Sequence, residues 1–282
     1  MAQTRRATAL GMLGGLAMAA GLVVGFVVGL GSPDASAQQG PGILQQVLSR
    51  GTLRIAVLPS LPPYSRVLPT GEPEGYDIDI ARKLADALKV KVEFVVTDIP
   101  GRVTSLQTRK VDVTVADFTR NVERSTTIAF TNPYLVTTMR LLVPEAHKGQ
   151  AITELGDGAG VRIAISRGGT AERAVPAALP KATLVRFNTQ ADEMSALLGG
   201  QADAMAEDDF YNTQAIKDRP GKLRQLDGIL TRAEIAIGVP AGDAEWLRVV
   251  NLFVDQLNGS GDNARLFKQW FGFDQPAIQA RF

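Results

Sequence analysis

The sequence predicts an α/β fold of two doubly wound lobes that are joined by two crossings of the chain. Short apolar segments of strand length alternate with amphipathic segments of helical length, and this alternation runs along the chain twice. Only two short runs, at 136–142 and 231–236, connect the two series. Strands that alternate with helices at this spacing are typical of parallel sheets covered by helices.

The first series of elements starts at residue 53, where an apolar run of strand length begins. The prolines of segment 59–73 each remove a backbone donor, so this segment is predicted as a loop. Asp77 precedes a run with apolar residues at helical spacing, which favours a helix that Asp77 caps. The predicted elements are a strand (53–57), the loop (59–73), a helix from Asp77 to residue 88, a strand (90–96), a helix (102–110) and a strand (111–116).

The second series follows Pro144 and has the same character. Its predicted elements are a strand (161–165), a helix (170–177), a strand (182–187), a helix (191–198), a strand (202–206), a helix (208–217), a strand (235–239) and two amphipathic C-terminal helices (243–257 and 262–271). With the two crossings as boundaries, this order assigns 38–137 and 236–282 to lobe 1 and 138–235 to lobe 2.

The first 37 residues have the pattern of a secretory signal peptide. Two arginines precede a nearly uncharged run from 7 to 30, and Ala35 and Ala37 occupy the small-residue positions before a cleavage site. We therefore expect residues 1–37 to be cleaved and the mature protein to be exported. The alternative is a retained membrane anchor, because the apolar run is long enough to span a bilayer.

The composition excludes several classes of function. The 282 residues include 30 Lys and Arg and 29 Asp and Glu, so the chain lacks the basic excess that nucleic-acid binding requires. There is no cysteine, which excludes disulfides, thiolate nucleophiles and Cys-ligated metal sites. The single histidine, His147, stands in a polar stretch, so a His-rich metal site is not expected. We expect no catalytic residue, no metal and no cofactor.

Four short blocks of the sequence are similar to those of a known protein family. They are Gly-Tyr-Asp-Ile-Asp-Ile-Ala at 75–81, Lys-Val-Asp-Val at 110–113, Thr119 with Arg124 five residues later, and Phe-Thr-Asn-Pro-Tyr at 130–134. In this order and spacing they resemble the polar amino-acid family, family 3, of extracellular solute-binding proteins, which serve ABC importers. The resemblance extends over nearly the whole of the mature chain.

The resemblance implies a fold like that of the type II periplasmic binding proteins, in which two α/β lobes on a two-stranded hinge close over a ligand. It also implies an amino acid as the ligand and an inner-membrane ABC permease as the partner. The protein would then be periplasmic and monomeric, with no cofactor and no nucleic acid bound.

Arg124 is the candidate for binding the ligand carboxylate, because a guanidinium matches a carboxylate with two parallel hydrogen bonds. It follows Asp117 and Thr119 at the carboxyl end of a predicted strand, the edge where open α/β sheets bind ligands. The resemblance implies that Arg124 binds the α-carboxylate, that Thr119 donates a further hydrogen bond and that the Asp117 carbonyl accepts from the ammonium. The alternative is a surface Arg paired with Glu123 or Glu172.

On the second lobe, Ser-Arg-Gly-Gly-Thr at 166–170 joins a predicted strand to a helix start. The free N–H groups and the dipole at such a start attract anions. The resemblance implies that this segment grips the same carboxylate from the opposite side. Gly169 stands where the family usually has a hydroxyl residue, whereas Thr170 keeps the match. The alternative is an ordinary helix N-cap.

Asp208 is the candidate partner for the ligand ammonium. The strand predicted at 202–206 ends at an acidic cluster, and the family pattern of Asp203, four residues and a second Asp selects Asp208. This assignment leaves Asp209 as a helix cap and Glu207 pointing to solvent.

Two leucines depart from the family pattern in the loop that contacts the ligand. The family usually has an aromatic residue at the place of Leu61, and often an acidic residue at the place of Leu58 when the ligand is cationic. Leucine at both places disfavours arginine, lysine and histidine, because a buried cation needs a paired charge. The Asn-Val-Glu-Arg at 121–124 is similar to the acidic amino-acid branch, but no Arg stands at the loop position which that branch uses for the distal carboxylate. The sequence therefore leaves the amino acid open.

Three functions are compatible with these sequence features. The first is a non-catalytic binding protein that delivers an amino acid to a transporter. The second is an enzyme on the same scaffold, similar to the cyclohexadienyl (arogenate or prephenate) dehydratases, with Glu172 or Glu207 as the general acid. The third is a sensory module, if residues 7–30 stay as an anchor.

Overall fold

A sheet of nine strands organises residues 41–278, the part of the chain that this computed structural model describes. The strands of the protein are β1 (Thr52–Val57), β2 (Ser60–Leu61), β3 (Ser65–Val67), β4 (Pro73–Glu74), β5 (Lys91–Val96), β6 (Val113–Thr114), β7 (Ile128–Pro144), β8 (Arg162–Ser166), β9 (Thr183–Phe187), β10 (Ala204–Asp208), β11 (Leu223–Gln225) and β12 (Thr231–Pro240). The order in the sheet is β5-β1-β6-β12-β7-β10-β8-β9, and β11 pairs with β7. The predicted signal peptide, 1–37, lies outside the described residues.

The helices pack around this sheet. They are α1 (Ile43–Arg50), α2 (Tyr76–Leu88), α3 (Gly101–Gln107), α4 (Val122–Ser125), α5 (Ala171–Ala178), α6 (Gln190–Leu198), α7 (Asp209–Asp218), α8 (Ala244–Gly259) and α9 (Asp262–Phe271), with a 3₁₀ helix at Ile152–Leu155. Helix α1 was not expected from the sequence, although Ile43 and Val47 lie one turn apart and bury the same face. Within 41–278, none of the helices is both long enough and apolar enough to cross a membrane.

Two groups of parallel strands flank the centre of the sheet. The first half-sheet is β5-β1-β6, in which β1 pairs in parallel with both neighbours. The second half-sheet is β10-β8-β9, in which β8 pairs in parallel with both neighbours. The alternation of strands and helices thus produces the parallel α/β fold that the sequence predicts.

Strands β7 and β12 lie antiparallel between the two half-sheets. Both predicted crossings, 136–142 and 231–236, fall inside these strands, which are longer than expected. Strand β7 continues through Pro133, which has no N–H to donate, and β12 shifts its register beside it at Ala236. Because of this irregularity, the sequence pattern indicated only part of this 17-residue strand.

The start of helix α2 differs from the expectation. Gly75 is the N-cap, and its φ of 136° suits glycine; an added Cβ would lie 2.2 Å from the Tyr64 carbonyl oxygen. Asp77 is fully buried instead of capping, and it accepts hydrogen bonds from the Asp117 N–H (2.7 Å) and the Tyr134 hydroxyl (2.8 Å). The proline-rich segment before it is also not a plain loop, since β2, β3 and β4 form a small antiparallel sheet there.

Helices α8 and α9 cover the first half-sheet through a large apolar core. Trp246 is fully buried in α8, and its indole N–H donates to the Asp112 carbonyl at 2.9 Å. The Trp270 indole of α9 donates to Asp79 at 2.8 Å. A separate apolar core, which includes Ile163 and Val175, lies under the second half-sheet. The large core is not confined to the first half-sheet, because Ala164 of β8, Met205 of β10 and Phe210 of α7 also belong to it, so it extends across both half-sheets.

Candidate functional site

A cavity of ≈ 30 Å³ lies where the strand ends of the two half-sheets face each other. The carboxyl ends of β5, β6, β8 and β10 all contribute to its lining, as expected for parallel strands that meet at one edge. Five of the seven predicted site residues line it, namely Asp117, Thr119, Gly169, Thr170 and Asp208. The other two, Arg124 and Leu61, are not part of this lining.

Arg124 lies directly behind Thr119. Its Nη1 donates to the Thr119 carbonyl at 2.5 Å, and its Nη2 donates to the Gly168 carbonyl at 2.8 Å, so it bridges the two half-sheets. Its guanidinium also stacks 5.1 Å from the centre of the Phe118 ring. Burial, together with the charge of Arg102, lowers the pKa of Arg124 to about 9.

Glu123 and Glu172, the carboxylates with which a surface Arg124 would pair, have other partners. Glu123 forms an ion pair with Arg173, and Glu172 forms one with Arg186 at 2.8 Å. Arg124 is therefore not the surface arginine of the alternative interpretation.

Leu61 is fully buried in strand β2 and belongs to the large apolar core. Leu58 is also buried in that core. The structure thus uses both leucines for packing, which agrees with their apolar character and gives neither a place in the cavity lining.

Asp208 combines two roles that the sequence divided between two residues. Its Oδ1 caps helix α7 by accepting from the N–H groups of Phe210 (2.9 Å) and Tyr211 (3.0 Å), and it also accepts from the Tyr64 hydroxyl (2.9 Å). Its Oδ2 is buried and has no hydrogen-bond partner among residues 41–278. One oxygen therefore positions the carboxylate while the other stays available to a ligand.

Asp209 is not the cap that the sequence suggested. Its carboxylate accepts from the hydroxyls of Thr137 (2.7 Å) and Thr138 (2.6 Å) on strand β7. It thereby fixes α7 against one of the two central strands, next to Thr137, which lines the cavity.

The backbone groups expected to bind ligand already have partners. The Asp117 carbonyl accepts from Arg102 Nη1 at 2.8 Å, and the Gly169 N–H donates to the Ser166 carbonyl at 3.0 Å. A Cβ on Gly169 would lie 2.8 Å from that same carbonyl oxygen, so the turn itself explains why a hydroxyl residue is absent here. The Asp117 side chain remains available, because its Oδ1 has no partner within the described part of the chain.

Thr119 and Thr170 form the wall between this cavity and a wider cleft of ≈ 740 Å³. Their hydroxyl oxygens lie 3.1 Å apart, which joins the first half-sheet to the second. The wider cleft is lined by Arg120, Arg173 and Glu234, among others.

Arg102 is a site residue that the sequence analysis missed. It is buried, it lines the cavity, and it donates to the carbonyls of Ile99 (3.1 Å), Ala116 (3.1 Å) and Asp117 (2.8 Å). Its place was hidden because it lies inside a predicted helix. Its position just after the carboxyl end of β5 was the signal that would have found it.

Glu207, Glu193 and Ser166 were also missed or misplaced. Glu207 was expected to point to solvent, but it is only 7% exposed and lines the cavity. Every residue of β10 is buried, so this strand has no outward face. Glu193 is fully buried on α6 and accepts a hydrogen bond from the hydroxyl of Ser166, which lines the cavity as well.

Burial governs the protonation of these carboxyl groups. It raises the pKa of Asp208 well above its ordinary value, and the neighbouring charge of Asp117 raises it further. Burial also raises the pKa of Asp117 to about 6, although the guanidiniums of Arg102 and Arg124 oppose the rise.

The same effect acts on the two glutamates. Burial raises the pKa of Glu193 to about 8 against the opposing hydrogen bond from Ser166. Burial and the charge of Glu193 raise the pKa of Glu207 well above its ordinary value. Burial therefore favours the protonated form of both glutamates.

The carboxylate oxygens of Asp117, Glu207 and Asp208 lie within 4.8 Å of one another. Three oxygens are half of the six that Mg²⁺ or Ca²⁺ takes. The guanidiniums of Arg102 and Arg124 act on the same cluster through the Asp117 charge. The cluster therefore brings carboxyl groups from both half-sheets together at the strand ends.

Comparison with known proteins agrees with this geometry. The sequence from residue 53 to residue 273 matches the family described as bacterial extracellular solute-binding proteins, family 3. The L-arginine-binding protein of Pseudomonas aeruginosa is 30% identical over 232 residues, which cover 79% of this chain and 88% of that protein. The L-cystine-binding protein TcyJ of Escherichia coli is 24% identical over 83% of this chain and 87% of its own length.

Solved structures give the same result. The crystal structure of the ancestral amino acid-binding protein AncCDT-1, a precursor of cyclohexadienyl dehydratase, is 31% identical with a TM-score of 0.74, over 82% of this chain and 100% of that chain. The P235GK mutant of ArgBP from T. maritima is 27% identical with a TM-score of 0.75, over 82% of this chain and 100% of that chain. The α/β fold, the cavity at the strand ends and the match over most of the sequence together show that the chain belongs to family 3 of the bacterial extracellular solute-binding proteins.

Proposed function

We propose that this protein is an exported substrate-binding protein that captures one amino acid between two lobes and delivers it to an ABC importer. The observation that carries the proposal is the buried Oδ2 of Asp208, which has no hydrogen-bond partner among residues 41–278. Asp208 lines the cavity together with Thr119, and the Arg124 guanidinium donates to the Thr119 carbonyl. A free amino acid presents an ammonium and a carboxylate, which are the complements of these two groups.

In this proposal the ligand ammonium binds the side chains of Asp208 and Asp117, each of which keeps one oxygen available. The ligand carboxylate binds Arg124, taking the place of the Gly168 carbonyl on Nη2, and accepts from the Thr119 and Thr170 hydroxyls. The Thr170 and Gly169 turn supports the carboxylate from the second half-sheet.

The proposed lobes are 38–137 with 236–282 and 138–235, and the proposed hinge is β7 with β12. Support comes from the sheet order, in which these two strands alone stand between the half-sheets. The Thr119–Thr170 and Arg124–Gly168 contacts must separate before a ligand can enter. Opening about the hinge would separate both at once, because each joins one half-sheet to the other.

Export, partner and assembly follow from the same proposal. Residues 1–37 act as a cleavable signal peptide, the mature protein works in the periplasm as a monomer, and its macromolecular partner is an inner-membrane ABC permease. Relatives named as binding proteins for arginine, cystine and glutamine support transport rather than catalysis. A cyclohexadienyl dehydratase activity is not favoured by these names, and the protein is proposed not to be an enzyme.

A thermal-shift screen of the mature chain against the amino acids tests this function. At least one of them should raise the melting temperature, since a ligand at a hundredfold excess over its Kd adds about 2.7 kcal/mol of stability. The Arg124→Ala variant serves as the control and should show no shift. If no amino acid stabilises the wild-type chain, the proposal is wrong.

A further inference from the structure

The charges around the cavity do not balance. Four buried carboxyl groups, those of Asp117, Glu193, Glu207 and Asp208, stand against the two guanidiniums of Arg102 and Arg124. An amino acid with a neutral side chain adds one positive and one negative charge, so it leaves the excess of carboxyl groups unchanged.

Glu207 is the carboxyl group with the fewest interactions in this set. It is only 7% exposed and lines the cavity, yet no hydrogen bond from residues 41–278 reaches its carboxylate. Arg102 acts on it only at longer range, since that guanidinium is hydrogen-bonded to three backbone carbonyls and interacts most strongly with Asp117. Glu207 is therefore a buried acceptor aimed at the space that a ligand would fill.

Glu193 adds a second buried carboxyl group close to Glu207. Its side chain is fully buried, and its Oε2 has no partner within the described range of the chain. Its charge is the largest electrostatic influence on the pKa of Glu207 after burial. Ser166, which donates to Glu193, lines the cavity beside Glu207.

These observations point to a group in the protein that could bind the side chain of the ligand. We propose that Glu207, with Glu193 behind it, forms a subsite for a positively charged side chain, so that the protein selects cationic amino acids over neutral and acidic ones. This inference rests on the proposed function, which supplies the partners of the α-ammonium and the α-carboxylate. It reverses the expectation drawn from Leu58 and Leu61, because the required negative charge comes from the second half-sheet and not from the loop that holds the leucines.

Matched pairs of ligands test the inference on the wild-type mature protein. Citrulline has the shape of arginine without its charge, and norvaline has the carbon chain of ornithine without its amine. Calorimetry at pH 8 should show arginine and ornithine binding about tenfold to a hundredfold more tightly than their neutral counterparts. Citrulline binding as tightly as arginine, or glutamate binding more tightly than either, would overturn the inference while leaving the proposed function intact. If no amino acid binds, the proposed function falls and the inference falls with it.

Substitutions then locate the subsite. Glu207→Gln keeps the shape of the side chain and should reduce the preference for arginine over citrulline to about threefold or less. Glu193→Gln should reduce it to an intermediate value, which keeps the test open if the first variant does not fold. Glu72→Gln, in an exposed turn remote from the cavity lining, is the matched control and should keep the full preference. A full preference in the Glu207→Gln protein would overturn the assignment.

Discussion

The two sides of the cavity differ in what their charged groups already bind. On the side of the first half-sheet, Arg102 and Arg124 form a guanidinium wall in which five hydrogen bonds to backbone carbonyls occupy the arginines. On the other side, Glu193, Glu207 and Asp208 form a carboxylate wall, in which Glu193 and Asp208 each keep an oxygen without a partner in the described chain.

This difference shows which groups a ligand must bring. A buried acceptor without a donor is costly, whereas an arginine held by carbonyls is already oriented for a further anion. Arg102 is thus held in place before the ligand arrives, whereas Arg124 exchanges the Gly168 carbonyl for the ligand carboxylate, and the carboxylate wall depends on donors that the ligand supplies. Four predictions, in order of expected size, test this contrast.

The largest effect is expected from the guanidinium wall. Arg124→Ala removes the partner of the ligand carboxylate, and we expect binding to weaken by about 30-fold to several thousandfold, as for a buried carboxylate left unpaired. Calorimetry with the best ligand of the screen measures this change. Arg120→Ala is the control: Arg120 lies in the same turn but pairs with Glu234 at 2.7 Å, and its loss should leave affinity nearly unchanged. Equal affinities for wild type and Arg124→Ala would remove Arg124 from the site.

On the carboxylate wall, Asp208→Asn removes the charge but keeps an oxygen that can cap α7 and accept from Tyr64. Because the fold is preserved in this way, we expect a loss of about tenfold to a thousandfold in affinity without a large loss of stability. Small-angle scattering at saturating ligand should show compaction of the wild type and reduced compaction of the variant. Normal compaction and affinity in Asp208→Asn would contradict the role given to this residue.

The pH dependence tests the buried carboxyl groups on both sides of the cavity. The pKa of Asp117 is raised to about 6 and that of Glu193 to about 8, so the folded protein holds protons that the unfolded chain releases near pH 4. Since the native state then binds more protons than the unfolded state, the stability of the ligand-free protein should fall as the pH rises from 5 to 8.

Affinity should move in the opposite direction over the same range. A ligand cation binds the deprotonated carboxylates, so affinity should rise from pH 5 to pH 8 while the free protein loses stability. Melting curves and calorimetric titrations at both pH values measure the two trends. A ligand-free protein that is equally stable at pH 5 and pH 8 would show that these carboxyl groups titrate normally.

The smallest effect is expected at the boundary between the walls. Thr119→Ala removes one hydroxyl that faces the Thr170 hydroxyl at 3.1 Å, and the lost hydrogen bond should cost about 1 kcal/mol, or roughly fivefold in affinity. Thr119→Ser keeps the hydroxyl and should bind as the wild type does. A loss in Thr119→Ala as large as that of Arg124→Ala would mean that Thr119 does more than donate one bond.

The sequence predicted the fold and the strand ends better than it predicted the charges between them. Parallel strands bring their carboxyl ends to one edge, and the resemblance to the family selected Asp117, Thr119, Thr170 and Asp208 at such ends, where all four line the cavity. Whether Asp208 or Asp209 caps α7 depends on the backbone conformation at these two positions, which the sequence does not reveal. The sequence analysis therefore predicted Asp209 as the cap, whereas Asp208 is the cap in the structure.

The sequence analysis failed mainly at the buried charged residues, and the reason is physical. Glu193 shares the buried face of α6 with Gln190 and Leu197, so its spacing marked it, but a glutamate is rarely expected in a core without a visible partner. Arg102 is held by carbonyls from a distant part of the chain, and no pattern of spacing reveals such partners.

The positions of the two tryptophans determine whether ligand binding changes the intrinsic fluorescence of the protein. Trp246 and Trp270 donate to Asp112 and Asp79 in the first half-sheet and its helices, and neither lines the cavity. Intrinsic emission should therefore change little on binding, and a flat optical titration says nothing about affinity. The chain has no cysteine, and Val122 is 84% exposed two residues before Arg124. A single Val122→Cys change would give one unique attachment point for a dye near Arg124, and a fluorescence change of that dye would then report the proposed lobe movement.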